Sequence, residues 1–105
     1  MKHIETKEEL VKVLDENPRV IVDFFATWCG PCKMLSPILE QIDKENDDVV
    51  VVKVDTDQAE ELAYEFKIMS IPTVVYFKNK QIVATEIGFR GKVDILANIN
   101  NLLRK

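Results

Sequence analysis

One junction constrains the possible folds of this chain more than any other feature. The run Val20 to Ala26, VIVDFFA, is apolar except for Asp23. Shortly after it, Leu35, Ile38, Leu39 and Ile42 repeat at i, i+3, i+4 and i+7, with Lys33, Glu40, Asp43 and Lys44 on the other side. A β-branched and aromatic run without polar alternation suits a strand covered on both faces. The following pattern suits a helix with one apolar face. A strand of the first kind needs layers above and below it, so the junction predicts a sheet with helices packed on its faces.

The remaining patterns agree. Thr6 with Glu9 fits a capping box, Leu10, Val13 and Leu14 continue a helix, and Asn17-Pro18 stops it. Val49–Val54 reads as a second buried strand, and a short strand is expected near His3–Glu5. Asp57 with Glu60 resembles a helix cap leading through Leu62, Ala63 and Phe66. Thr73–Phe77 and Gln81–Ile87 flank Asn79-Lys80 as a hairpin. Ile95, Leu96, Ile99, Leu102 and Leu103 form the stripe of a last helix, with Arg104 and Lys105 placed to complement its dipole. Pro37 predicts a kink in the second helix. No linker or repeat divides residues 1–105, and the expectation is a single α/β domain with a central mixed sheet.

Composition narrows the function. Fourteen Lys and Arg against eighteen Asp and Glu give a net charge of −4 with no basic run, which argues against nucleic acid as a partner. No stretch of eighteen apolar residues predicts a membrane span, and Met1–Leu10 lacks the apolar core of a signal peptide. The expectation is a cytoplasmic protein. His3 is the only histidine and there are two cysteines, too few for a disulfide framework.

Those cysteines stand in Trp28-Cys29-Gly30-Pro31-Cys32, where the buried strand gives way to the helix. Spacing of this kind in a first helical turn brings two Cα atoms within disulfide range. Cys29 at the helix N-terminus meets unpaired N–H groups and the positive end of the dipole, which favour a thiolate, the nucleophilic form. Pro31 suits an early helical position. Cys32, one turn in, is expected to be shielded, as befits a resolving thiol. Half of a zinc site is the competing reading, but three Cys and His residues in the whole chain do not supply four ligands. Two inert core cysteines are the other.

The segment VDFFATWCGPCK, Val22 to Lys33, together with Ile71-Pro72-Thr73, resembles the thioredoxin family, and the similarity runs over nearly the whole chain. This resemblance implies the thioredoxin fold, with helices on both faces of the sheet. It also implies thiol–disulfide exchange through a redox-active Cys29–Cys32 disulfide, with no separate cofactor and no metal. The implied partners are disulfide-containing client proteins and an NADPH-dependent thioredoxin reductase, met by a monomer. Gly30 and Pro31 bring no charge between the cysteines, so the pair is expected to be reducing.

Around the pair, Asp23 is expected to have a raised pKa through desolvation, unless it lies at an exposed strand edge. In the family, the matching aspartate helps to deprotonate the second cysteine, here Cys32. Lys53, inside VVVVKV, has two placements open to it. Beside Asp23 it lowers that carboxyl's pKa; with its stem buried and its charge in water it does not. Pro72 by itself favours a trans peptide, whereas the resemblance implies a cis bond facing the cysteines, with the Ile71 backbone receiving an extended client segment. Trp28, alone an ordinary core aromatic, then joins Gly30, Pro31, Ile71, Pro72 and Gly88 in an apolar docking surface. Lys80 stands where many members have a turn glycine, and Phe25 and Phe89-Arg90-Gly91 also depart from the common pattern. A docking module of the same fold, or an isomerase, is the alternative function.

Overall fold

A computed structural model describes residues 1–105. Five strands form one mixed sheet: β1 (Lys2–His3), β2 (Arg19–Phe25), β3 (Val50–Asp55), β4 (Thr73–Lys78) and β5 (Gln81–Ile87). Their spatial order is β1-β3-β2-β4-β5. β3 runs parallel to both β1 and β2, while β4 is antiparallel to β2 and β5. α1 (Lys7–Glu16) carries the chain from β1 to β2, on the two sides of β3, and α2 (Gly30–Glu45) is the crossover that joins β2 to its parallel neighbour β3. α3 (Glu60–Glu65) and α4 (Lys92–Asn98) follow β3 and β5, and Ile99–Leu103 extends α4 as a π-turn.

β2 lies at the centre and is buried along Val20–Phe25. Its alternate residues point to two cores. Val20, Val22 and Phe24 pack with Val52, Val54, Val75 and Phe77 against Leu10 and Val13 of α1 and Leu62 of α3. Ile21 joins Val51, Val74 and Tyr76 against Leu35, Leu39 and Ile42 of α2 and Ile95 of α4. Asp23 shares the parity of Ile21, so it belongs to the face that α2 covers.

Local signals account for most boundaries. Thr6 and Glu9 form the expected capping box: the Glu9 N–H donates to Thr6 Oγ1, and the Thr6 N–H donates back to Glu9 Oε1. α2 continues through Pro37 to Glu45. Two expectations need correction and a third is extended. The first strand lies at Lys2–His3, slightly before its predicted place. α3 begins after Ala59, whose methyl group offers no side-chain cap, and the Asp57 carboxylate, expected to cap this helix, accepts from the Trp28 Nε1–H. Arg104 does more than complement a dipole: its guanidinium donates twice to Asp48 and once to Asn46, tying the C-terminal helix to the loop before β3. That pair holds the Asp48 carboxyl down at about 2.

The Asn79-Lys80 hairpin forms, with both residues at positive φ (50° and 71°), the requirement of a type I′ turn. Lysine occupies a conformation that glycine enters without steric cost.

Candidate active site

After β2 and buried Ala26 the chain emerges at Thr27 and Trp28, in a tight turn in which the Cys29 N–H donates to Ala26 O at 3.3 Å. Cys29 is the N-cap of α2, with extended φ and ψ of −88° and 116°, and Pro31 sits in the first helical turn. Its sulfur accepts the Cys32 N–H at 3.2 Å, serving the helix end in the manner of a cap oxygen. Cys29 and Cys32 stand at disulfide distance, with Cα atoms 5.3 Å apart. Both are buried, Cys29 at 6% exposure and Cys32 at 3%, so the expected shielding of Cys32 is present but extends to its partner. A negative charge developing on Cys29 would therefore face an amide already aimed at the sulfur and the positive end of a 16-residue helix.

The opposite wall comes from a distant segment. β2 and β4 run antiparallel with Phe24 opposite Thr73, so the start of β4 lies beside the end of β2. The residues entering β4 are Ile71 and Pro72, joined by a cis peptide. Ile71 O lies 3.9 Å from Cys29 Sγ, and the Ile71 side chain packs on the cluster of Phe25, Ala26, Cys29 and Cys32. Pro72 O accepts the Gly88 N–H at 2.8 Å, and Gly88 adopts φ +94°, where a side chain would be strained. Gly88 is thereby fixed next to the proline.

Trp28 is 69% exposed, which excludes a core role. Its Nε1–H donates to Asp57 Oδ2 at 2.9 Å, and the Asp57 N–H in turn donates to Asp55 Oδ1. Asp55 and Asp57 thus organise the loop after β3, and no cluster of three or more His, Cys, Asp or Glu side chains with metal-binding geometry exists in the structure. Gly30 and Pro31 are exposed beside the disulfide.

Asp23 is fully buried, and neither carboxylate oxygen has a hydrogen-bond partner. Its register neighbours are Val74 on β4 and Lys53 on β3. Desolvation raises its pKa to about 7, with the Lys53 charge pulling in the opposite direction. Lys53 takes a course intermediate between the two open placements. The residue is half-buried on β3, yet its ammonium donates to Ser36 Oγ at 2.8 Å and lies 4.3 Å from the centre of the Phe25 ring. It makes no ion pair with Asp23.

Two nearby residues escaped sequence reasoning. Ser36 follows Cys32 by one helical turn on the same face, a spacing visible in the sequence, but its link to Lys53 needs the sheet and helix together. Met69 is 95% exposed two residues before Ile71, and only its position in the loop sets it apart from a core methionine.

Comparisons with known proteins agree with this geometry. Residues 2–101 match the family model described as Thioredoxin. The chain is 47% identical to a thioredoxin of Mycoplasmoides gallisepticum over 95 residues, covering 90% of this chain and 95% of that one. It is 44% identical over 92 residues to a bifunctional thioredoxin reductase/thioredoxin of Mycobacterium leprae, covering 87% of this chain and 20% of that protein. Among solved structures, a thioredoxin of Plasmodium falciparum superposes with a TM-score of 0.88 at 34% identity, over 97% of this chain and 99% of that one.

Proposed function

This chain belongs to the thioredoxin family, and from that premise we propose that it reduces client protein disulfides as a general electron donor of the cytosol. It is a disulfide oxidoreductase, and Cys29 and Cys32 stand as its redox pair. Read as one domain over residues 1–105, it works as a monomer and needs no cofactor beyond that pair.

The proposed cycle begins with the reduced pair. The Cys29 thiolate attacks one sulfur of a client disulfide, forming a mixed disulfide and expelling the other client sulfur as a thiolate. The Asp23 carboxylate takes the proton of Cys32, whose thiolate then attacks Cys29 Sγ. The bond to the client breaks, its second sulfur leaves, and two electrons have passed from the Cys29–Cys32 pair to the client. The observation that carries this reading is the Cys29 sulfur at the start of α2, accepting a backbone N–H and lying 3.9 Å from Ile71 O. Trp28, Ile71, Pro72 and Gly88 form the surface on which the client strand rests.

The direction is supported by Gly30 and Pro31, which add no charge to stabilise the thiolate and so leave the reduced form a good donor. Electrons are returned by an NADPH-dependent thioredoxin reductase, a partner supported by the mycobacterial relative whose name joins the two activities. The test is reduction of insulin in the presence of dithiothreitol. Precipitation should be accelerated over the reagent alone, and Cys29→Ser should abolish the gain; no acceleration overturns the proposal. Cys32→Ser should retain clients covalently through Cys29, whereas a docking module would hold them without a bond. A reduction potential below about −230 mV is expected, and one near about −180 mV would favour an isomerase.

A further inference from the structure

Beside the disulfide, Phe25, Cys32, Ser36, Glu40 and Lys53 help to line a cleft of about 410 Å³ between α2 and the sheet. Lys53 crosses this cleft. Its ammonium rests on the Phe25 ring and donates to Ser36 Oγ, although its register neighbour on the same face is the unpartnered Asp23 carboxyl. A buried carboxylate without a partner is a strong acceptor for any free cation nearby. Something must hold the ammonium elsewhere, and the Ser36 hydroxyl is the only side-chain acceptor it has.

We propose that Ser36 is a positioning residue, which holds the Lys53 ammonium at the helix wall and out of contact with Asp23, so that Asp23 stays free to take up and release a proton. The inference rests on the role given above to Asp23. Three elements face Asp23. β4 contributes uncharged Val74 and β3 contributes Lys53, both in register, and α2 covers this face, with Cys32, Lys33 and Glu40 lining the adjacent cleft. His3 touches the Phe25 ring from β1, its centroid 5.7 Å away. Of these groups, Lys53 alone combines a cationic end with a stem in register beside Asp23. Without the hydroxyl its ammonium turns to the carboxylate, which an adjacent opposite charge holds in the ionised form.

The experiment is a carboxyl-carbon NMR titration of Asp23 in the oxidised protein, where the cysteines carry no protons. Ser36→Ala should lower the Asp23 midpoint by about one pH unit. Ser36→Thr, which keeps a hydroxyl, should match the parent. Ser36→Ala should add nothing in a Lys53→Met background, since the effect passes through Lys53. The pH profile for reduction of a small aromatic disulfide by the reduced protein should shift in the same order. A midpoint that stays or rises in Ser36→Ala, for instance because the ammonium turns to Glu40, overturns the proposal. The two readings fail separately. If Asp23→Asn leaves the rate profile unchanged, Asp23 has no proton role. If Asp23→Asn alters the profile while Ser36→Ala does not, Ser36 has no positioning role.

Discussion

A carboxyl group buried without a hydrogen bond costs this protein stability, and the cost depends on pH. Asp23 titrates near 7 in the native state and, like any exposed aspartate, near about 4 in the unfolded chain. Between those values the native state holds a proton that the unfolded state has lost. The contribution of Asp23 to stability is therefore least unfavourable below about pH 4 and falls as pH rises through that window, by up to about 4 kcal/mol in all. Asp23→Asn removes the charge and keeps the shape, so it should stabilise the oxidised protein at pH 8 by a few kcal/mol, up to about 4, and change little at pH 4. Urea unfolding at the two pH values checks this; equal effects at both would show that charge is not the cause. Asp23 was legible in the sequence because one acid interrupts an otherwise apolar strand. The destination of Lys53 was not, since its alternative resting places, a carboxylate on β2 and a hydroxyl on α2, meet only after helix and sheet have packed.

Elements whose signals are local were readable, and those that depend on distant partners were not. The capping box before α1 uses residues three apart, and the hairpin turn is announced by Asn79 between two β patterns. α3 illustrates the other case. Its expected cap, Asp57, instead accepts a hydrogen bond from Trp28, twenty-nine residues earlier. The other end of α3 closes with the Lys67 N–H donating to Tyr64 O and the Ile68 N–H to Ala63 O, a Schellman arrangement with Lys67 at φ 55°. Lys67 and Lys80 thus both occupy left-handed backbone, which costs a side-chain-bearing residue about 1 kcal/mol or more relative to glycine. Part of that is offset by glycine's freedom in the unfolded chain. Lys67→Gly and Lys80→Gly should each stabilise the protein by roughly 0.5–1 kcal/mol, seen as a higher urea midpoint with an unchanged slope. Loss of stability in either would mean that the lysine side chain matters more than its backbone.

Over the whole molecule, the reversal of direction between β2 and β4 decides where function sits. Because β2 runs parallel to β3 and antiparallel to β4, the end of β2 and the start of β4 lie side by side at one end of the strands. The cysteines and the Ile71-Pro72 ledge meet there. Each segment was recognisable in the sequence, but their contact depends on strand order, which periodicity does not encode. The same order predicts a gradient of local stability. Amides of β2, flanked on both sides and covered on both faces, should exchange hydrogen most slowly, with β3 and β4 next; those of the outer strand β5, whose side chains are largely exposed, should exchange faster. Slowest exchange in β5 would contradict this reading of the core. The strand reversal also has a consequence during synthesis. Cys29 leaves the ribosome forty-two residues ahead of Ile71, so for that interval the nascent chain carries both thiols without the ledge that will face them. The reactive pair is made before the ledge that faces it, and the two meet only once β4 has been added and paired with β2.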